Sequence, residues 1–211
     1  HGTYARWLLN TVMYAVVAGF GATIIATLAG YAIATMRFPG RNSLLAITLA
    51  FMSIPATVIS VPLFLMYSKI GLVGTPWAVI IPQLATPFGL YLMIIYAQTS
   101  VPTSLLEAAK LDGANSWTIF WKVAFPLLSP GFVTVLLVGV WNNYFLPLIM
   151  LSDTNDYPMT VGLNMWLKMG AEGTADGQIP NNYIVTGCLI AVAPLIIAFM
   201  FLQKYWESGL S

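Results

Sequence analysis

Glu107-Ala108-Ala109-Lys110-Leu111-Asp112-Gly113-Ala114, running on through Phe120 to Pro126, is the longest charged and polar interruption between two apolar runs of this chain. Its reading decides what the flanks are. Ser104 stands three residues ahead of Glu107, the spacing of a capping box, so the residues predict a helix that starts near Pro102 to Ser104 and stops at Gly113. Asn115 or Ser116 can cap a second helix, Trp117 to Ala124. Ala108 and Ala109 carry little bulk, and Glu107 and Asp112 flank them with negative charge, so a partner surface can approach the backbone closely there. Taken alone, Glu107 completes a capping box and Asp112-Gly113 ends a helix; taken as a unit, the segment is a small knob with acidic edges, shaped for docking.

The flanks are membrane-spanning. With 59% hydrophobic and 7% charged residues and a mean hydropathy of +0.83, the 211-residue chain lies far from the roughly one quarter charged of soluble domains. A formal net charge of +1 argues against a nucleic-acid surface. One histidine and one cysteine, Cys188, leave no internal disulfide and almost no ligands for zinc or haem, so no metal site is expected. Cys188 lies inside an apolar run and reads as a small packing residue. No G-x-x-x-x-G-K-[ST] loop occurs, so the chain does not itself hydrolyse ATP by that route. No Ser-His-Asp or Cys-His set and no paired intramembrane carboxylates are present, and no catalytic residues are assigned.

Charges partition the rest. The intervals Trp7 to Met36, Asn42 to Ser68, Ile70 to Leu106, Val123 to Ser152 and Gly177 to Gln203 hold no Asp, Glu, Lys or Arg. Each exceeds the roughly 20 residues needed to cross hydrocarbon. The expectation is an all-α, polytopic membrane helix bundle with five spans, near 11–35, 43–68, 77–98, 126–150 and 182–205, forming one domain over 1–211. Lys and Arg near the span ends vote five to three for Arg37, Arg41, Lys110, Lys122 and Lys204 inside, against Arg6, Lys69 and Lys168. The 102–125 loop is then cytoplasmic. The 152–181 loop, with Asp153, Asp156, Glu172 and Asp176, is extracytoplasmic.

Four spans carry prolines, Pro194 being the one in the last. Pro55 and Pro62 free the carbonyls of Phe51 and Val58, and Pro82 and Pro87 free those of Ala78 and Gln83; Gln83 is itself polar. In the fourth span Asn142 and Asn143 place two amides at one level, Pro147 frees the carbonyl of Asn143, and Trp141 and Tyr144 flank them. Unpaired in hydrocarbon, each amide would cost several kcal/mol. Aromatic faces beside amides suit a sugar, with a flat apolar surface for its C–H face and donors and acceptors for its hydroxyls. The other reading is interhelical hydrogen bonds from the Asn pair, with the rings in the outer aromatic belt. The first span carries Gly19, Gly21 and Gly30, a face suited to close helix contact.

The Glu-Ala-Ala, Asp-Gly-Ala and Phe125-Pro126 sequence resembles the cytoplasmic coupling loop of ABC-importer membrane subunits, with Phe-Pro where that family commonly has Leu-Pro. From Asn10 to the end the chain is similar to the carbohydrate-uptake permeases related to the maltose importer, through Arg37-Phe38-Pro39-Gly40-Arg41, Ile54-Pro55 with Val61-Pro62, Pro87-Phe88-Gly89 and Trp141-Asn142-Asn143-Tyr144. The resemblance implies type I importer architecture, with six spans in the complete protein and one of them ahead of His1. It implies a bacterial or archaeal cytoplasmic-membrane subunit of an ATP-driven sugar importer. Glu107, Ala108, Ala109, Leu111, Asp112, Gly113 and Ala114 would couple to an ATPase, and Gln83, Trp141, Asn142, Asn143 and Tyr144 would line the substrate pathway. Partners implied are a second permease, two ATPase subunits that hold the ATP and Mg2+, and an extracytoplasmic sugar-binding protein; no cofactor is expected on this chain. Similar permeases often carry Asp or Glu where this chain has Asn143, so a charge-based role does not transfer. Similar permeases also continue past the matching Gly-Leu with a short basic tail. The rival class is an ion-coupled secondary transporter or channel, which calls for an ionisable residue within a span; none of the five intervals holds one.

Overall fold

The computed structural model describes residues 2–139, 143–171 and 181–207. All regular structure among them is helical: α1 (Gly2–Thr35), α2 (Arg41–Met52), α3 (Ala56–Lys69), α4 (Trp77–Gln83), α5 (Pro87–Ser100), α6 (Thr103–Leu111), α7 (Ser116–Ile119), a π-helical turn (Phe120–Ala124), α8 (Phe125–Gly139), α9 (Phe145–Met150), α10 (Met159–Ala171) and α11 (Asn181–Glu207). Three stretches, Thr3–Thr35, Trp77–Ser100 and Ser116–Leu136, are long and apolar enough to cross a bilayer. The pair α2 and α3 makes a fourth if counted as one span, and α11 supplies a shorter apolar stretch, Asn182–Pro194. The membrane bundle expected from composition is present, but the five expected intervals are not five uninterrupted helices.

Prolines account for the interruptions. At Ser53–Pro55 the chain turns by 101° between α2 and α3; Pro55 is extended and cannot donate, and the Phe51 carbonyl that it frees accepts from the Ile54 N–H at 3.2 Å. Pro62 lies within α3 without ending it. In the third interval the break falls after Pro82, at residues 84–86, and Pro87 opens α5, where Thr86 caps the helix by accepting from the Gly89 N–H at 3.2 Å. The fourth interval departs most from expectation. Its apolar helical stretch begins at Ser116, ten residues before the predicted limit of 126, because α7 runs through the π-helical turn into α8 without a stop at Phe125-Pro126. Pro126 lies in the first turn after the π-helical turn, inside this continuous run, and leaves the Lys122 carbonyl without its α-helical donor. Helix α8 is described as far as Gly139, and Asn143 and Tyr144 are non-helical before α9.

Two compact units divide the chain. In the unit formed by 1–19, 55–83 and 140–203, α3 and α4 pack on α9 around Tyr14, Ala18, Tyr67, Ala78, Val79, Ile80 and Met150. In the unit formed by 20–54, 84–139 and 204–211, α5 packs on α2 and α8, with Tyr31, Met93, Ala97, Leu106, Phe120, Ala124 and Leu128 at its centre. Here α1 and α5 approach backbone to backbone at Gly30: a Cβ added there would lie 2.7 Å from the Met93 Cβ and 3.0 Å from its carbonyl carbon. Small residues let membrane helices gain dispersion contact where the solvent offers no hydrophobic drive. Cys188, expected as a small packing residue, is exposed on α11 within this chain.

Candidate functional site

The elbow is a short helix closed by a Schellman motif. Pro102, extended at φ −63° and ψ 133°, sets the entry to α6, and no side chain caps it. The predicted capping box is therefore not formed: with Pro102 in the N-cap position, Ser104 is already inside the helix. At the other end the Gly113 N–H donates to the Lys110 carbonyl and the Ala114 N–H to the Ala109 carbonyl, both at 3.0 Å. Gly113 adopts φ +79°, a left-handed conformation that costs any other L-residue roughly 1–2 kcal/mol. Asn115 caps the next helix by accepting from the Thr118 N–H at 2.8 Å.

This geometry divides the predicted docking residues in two. Leu106 is buried, and Ala109 and Ala114 pack against the core of their unit, so the two alanines serve the motif that closes the helix. Glu107, Ala108, Leu111, Asp112 and Gly113 face outward. Leu111 is 90% exposed and Trp117, just past the turn, is 62% exposed. Both are apolar side chains left bare beside the left-handed turn at Gly113.

A second group of residues gathers in the other unit. Gln83 and Asn143 line one small cavity of about 10 Å³ together with Thr11, Tyr14, Val79, Pro147 and Pro158. The Gln83 amide donates to the Val79 carbonyl at 2.9 Å, and its Oε1 is buried with no hydrogen-bond partner. The Asn143 carbonyl, freed by Pro147, accepts from the Thr160 hydroxyl at 3.0 Å, and the Tyr144 hydroxyl donates to Asn164 Oδ1 at 3.0 Å. Helix α10 of the 152–181 loop thus ties down the non-helical pair Asn143 and Tyr144. Trp141 and Asn142 lie outside the described residues.

The loop is anchored further by a stripe along α1. Trp7 Nε1 donates to the Thr154 carbonyl at 2.8 Å, Arg6 Nε and Asn10 Nδ2 to that of Asn155 at 3.1 and 2.7 Å, and the Tyr14 hydroxyl to that of Asp156 at 2.9 Å. Thr11 Oγ1 accepts from the Met159 N–H at 2.7 Å, starting α10. Gly162 leaves the space that the Trp7 ring fills. Sequence reasoning did not assign Thr11, Tyr14, Thr160 or Asn164 to this group. The signal for part of it was available: Arg6, Asn10 and Tyr14 recur every fourth residue, one polar face of a helix that is otherwise apolar.

Helices long and apolar enough to cross a bilayer, interrupted near prolines and flanking a small recess with buried amides, are the construction of a membrane transport subunit. Residues 22–211 match the family described as "Binding-protein-dependent transport system inner membrane component", and the chain belongs to that family. It is a multi-pass inner-membrane permease subunit of an ABC importer, working with a substrate-binding protein and an ATPase, and is not an enzyme. Relatives include an arabinooligosaccharides transport system permease of Halalkalibacterium halodurans, 32% identical over all of this chain and 74% of its own length. A melibiose/raffinose/stachyose import permease of Bacillus subtilis is 29% identical over 96% of this chain and 73% of its own. Among solved structures, a bacterial ABC transporter involved in import of the acidic polysaccharide alginate matches 97% of this chain and 76% of that one, with a TM-score of 0.82 and 27% identity.

Proposed function

We propose that this subunit forms half of the translocation pathway of an ATP-driven sugar importer and takes its work stroke through the Glu107–Ala114 elbow. The observation that carries the proposal is the elbow itself: a Schellman-closed helix that buries Leu106, packs Ala109 and Ala114 half-buried against the core, and leaves Leu111 and the Glu107 and Asp112 carboxylates outside. A rigid apolar knob with an acidic rim fits a cleft in a soluble partner, and the ATPase is the partner that must supply energy. Two ATPase subunits holding ATP and Mg2+ would each receive one elbow, the other coming from a second, homologous permease. Closure of the ATPases then moves the elbows together and favours the outward-facing arrangement by the free energy of differential nucleotide binding.

Sugar is the substrate class supported by the relatives, whose names cover arabinooligosaccharides and melibiose, raffinose and stachyose. On this chain Gln83, Asn143 and Tyr144, with Trp141 and Asn142, line its path. The cavity at Gln83 and Asn143 has room for about one water molecule, so a sugar reaches these amides only after the surrounding helices part. The orphaned Gln83 Oε1 is then an acceptor ready for a sugar hydroxyl. The test is reconstitution of the complex with its binding protein in proteoliposomes: ATP-dependent sugar uptake is expected with the unaltered chain and none with Glu107→Lys, the fold being intact. Normal uptake by that variant removes the elbow from the mechanism.

A further inference from the structure

The π-helical turn Phe120–Ala124 joins the elbow to span α8, and three observations about it belong together. A π-turn carries one residue more than an α-turn, is rare, and concentrates at functional sites. Beside it lies a half-open apolar recess of about 230 Å³ lined by Phe20, Ile24, Leu28, Trp121, Phe125 and Phe132, among others. That exceeds the roughly 150 Å³ void that accepts a benzene ring. Thr27 also lines the cavity; it is 1% exposed and its hydroxyl oxygen is buried with no hydrogen-bond partner. Other helical hydroxyls, those of Thr11, Thr35, Thr48 and Ser60, donate to the carbonyl four residues back. A buried hydroxyl that makes no such bond, next to unfilled space, is incomplete in this arrangement.

We propose that the π-turn is a register ratchet between elbow and span. It rests on the reading of the elbow as the ATPase dock. In the second state the turn is α-helical, which rotates the segment ahead of it by about 100° and shifts it by about 1.5 Å, one residue's share of an α-helix. Trp121, 41% exposed at the cavity rim and 5.0 Å from the Phe125 ring, swings its indole into the cavity, and its N–H donates to Thr27 Oγ1. Movement of the elbow is thereby converted into one of two packed registers rather than a continuous bend, because close-packed interiors switch between discrete arrangements.

The test is a double-mutant cycle in the assembled, reconstituted importer. Thr27→Val keeps shape and removes the acceptor; Trp121→Phe keeps a ring and removes the donor. Each is expected to lower ATP-driven uptake about fivefold, the double variant no further, and Thr27→Ser to restore uptake. Co-purification of the ATPase stays normal throughout, and its loss from the unaltered chain would refute the docking reading instead. Thermal stability separates a packing role: Thr27→Val relieves a buried unpaired hydroxyl, so its melting temperature holds or rises while uptake falls. Unchanged uptake in both single variants, or effects that multiply to about 25-fold in the double, overturns the ratchet.

Discussion

Replacing glycine by alanine at two positions of α1 isolates the close approach of α1 to α5. In the interior of a helix the change gains about 1 kcal/mol of helix propensity at either position. At Gly21 the new Cβ meets only Leu84 Cδ2, at 2.5 Å, the far end of a flexible side chain that can rotate away. At Gly30 it meets the Met93 Cβ at 2.7 Å and the backbone of Met93 and Ile94 at 3.0 and 3.1 Å. Ordinary contact needs close to 4 Å between carbons, so the two helices must separate by most of an ångström, and overpacking of this kind costs about 1–3 kcal/mol. The propensity gain cancels in the comparison. Gly30→Ala is therefore expected to be about 1–3 kcal/mol less stable than Gly21→Ala, read by thermal unfolding of the purified subunit in lipid nanodiscs. Equal stability, or a more stable Gly30 variant, would refute the claim that the α1 and α5 backbones touch.

Three other outcomes follow from the site. Gly113→Ala forces a side chain into the left-handed conformation at φ +79° and should destabilise the elbow by about 1–2 kcal/mol, seen as faster amide exchange over α6 with little change in the spans. Trp7→Phe keeps a ring against Gly162 and loses the bond to the Thr154 carbonyl; it should cost about 1 kcal/mol and raise protease sensitivity of the 152–157 turn. Asn142→Leu with Asn143→Leu should impair uptake while leaving ATPase co-purification intact, and unaffected uptake would return both residues to packing.

Much of the architecture could be read from the chain because hydrocarbon excludes charge so strongly. The charge-free intervals hold most of the long apolar helices, and the second and third are broken near a proline, whereas α11 runs through Pro194. What a proline does was less legible: Pro55 begins a helix after a 101° turn, whereas Pro62 sits inside one. The π-turn at Phe120–Ala124 has no local signature, since the same residues would make a good α-helix. The capping box failed for a local reason, Pro102 occupying the N-cap position one residue before Thr103. The elbow's outward residues were foreseen, but the inward role of Ala109 and Ala114 was hidden because their small size fits docking and packing alike. The anchoring of 154–157 by α1 could not be foreseen from spacing alone, as it joins residues some 140 or more apart in sequence.

The elbow is tested most directly by contact. In a Cys188→Ser background the chain has no other cysteine, so Leu111→Cys carries a single thiol on the most exposed apolar side chain of the elbow. A short bifunctional crosslinker applied to membranes is predicted to join it to the ATPase subunit, and to do so less when Glu107→Lys is added. Crosslinking only from the extracytoplasmic side, or to no ATPase in an importer that still transports, would contradict the account.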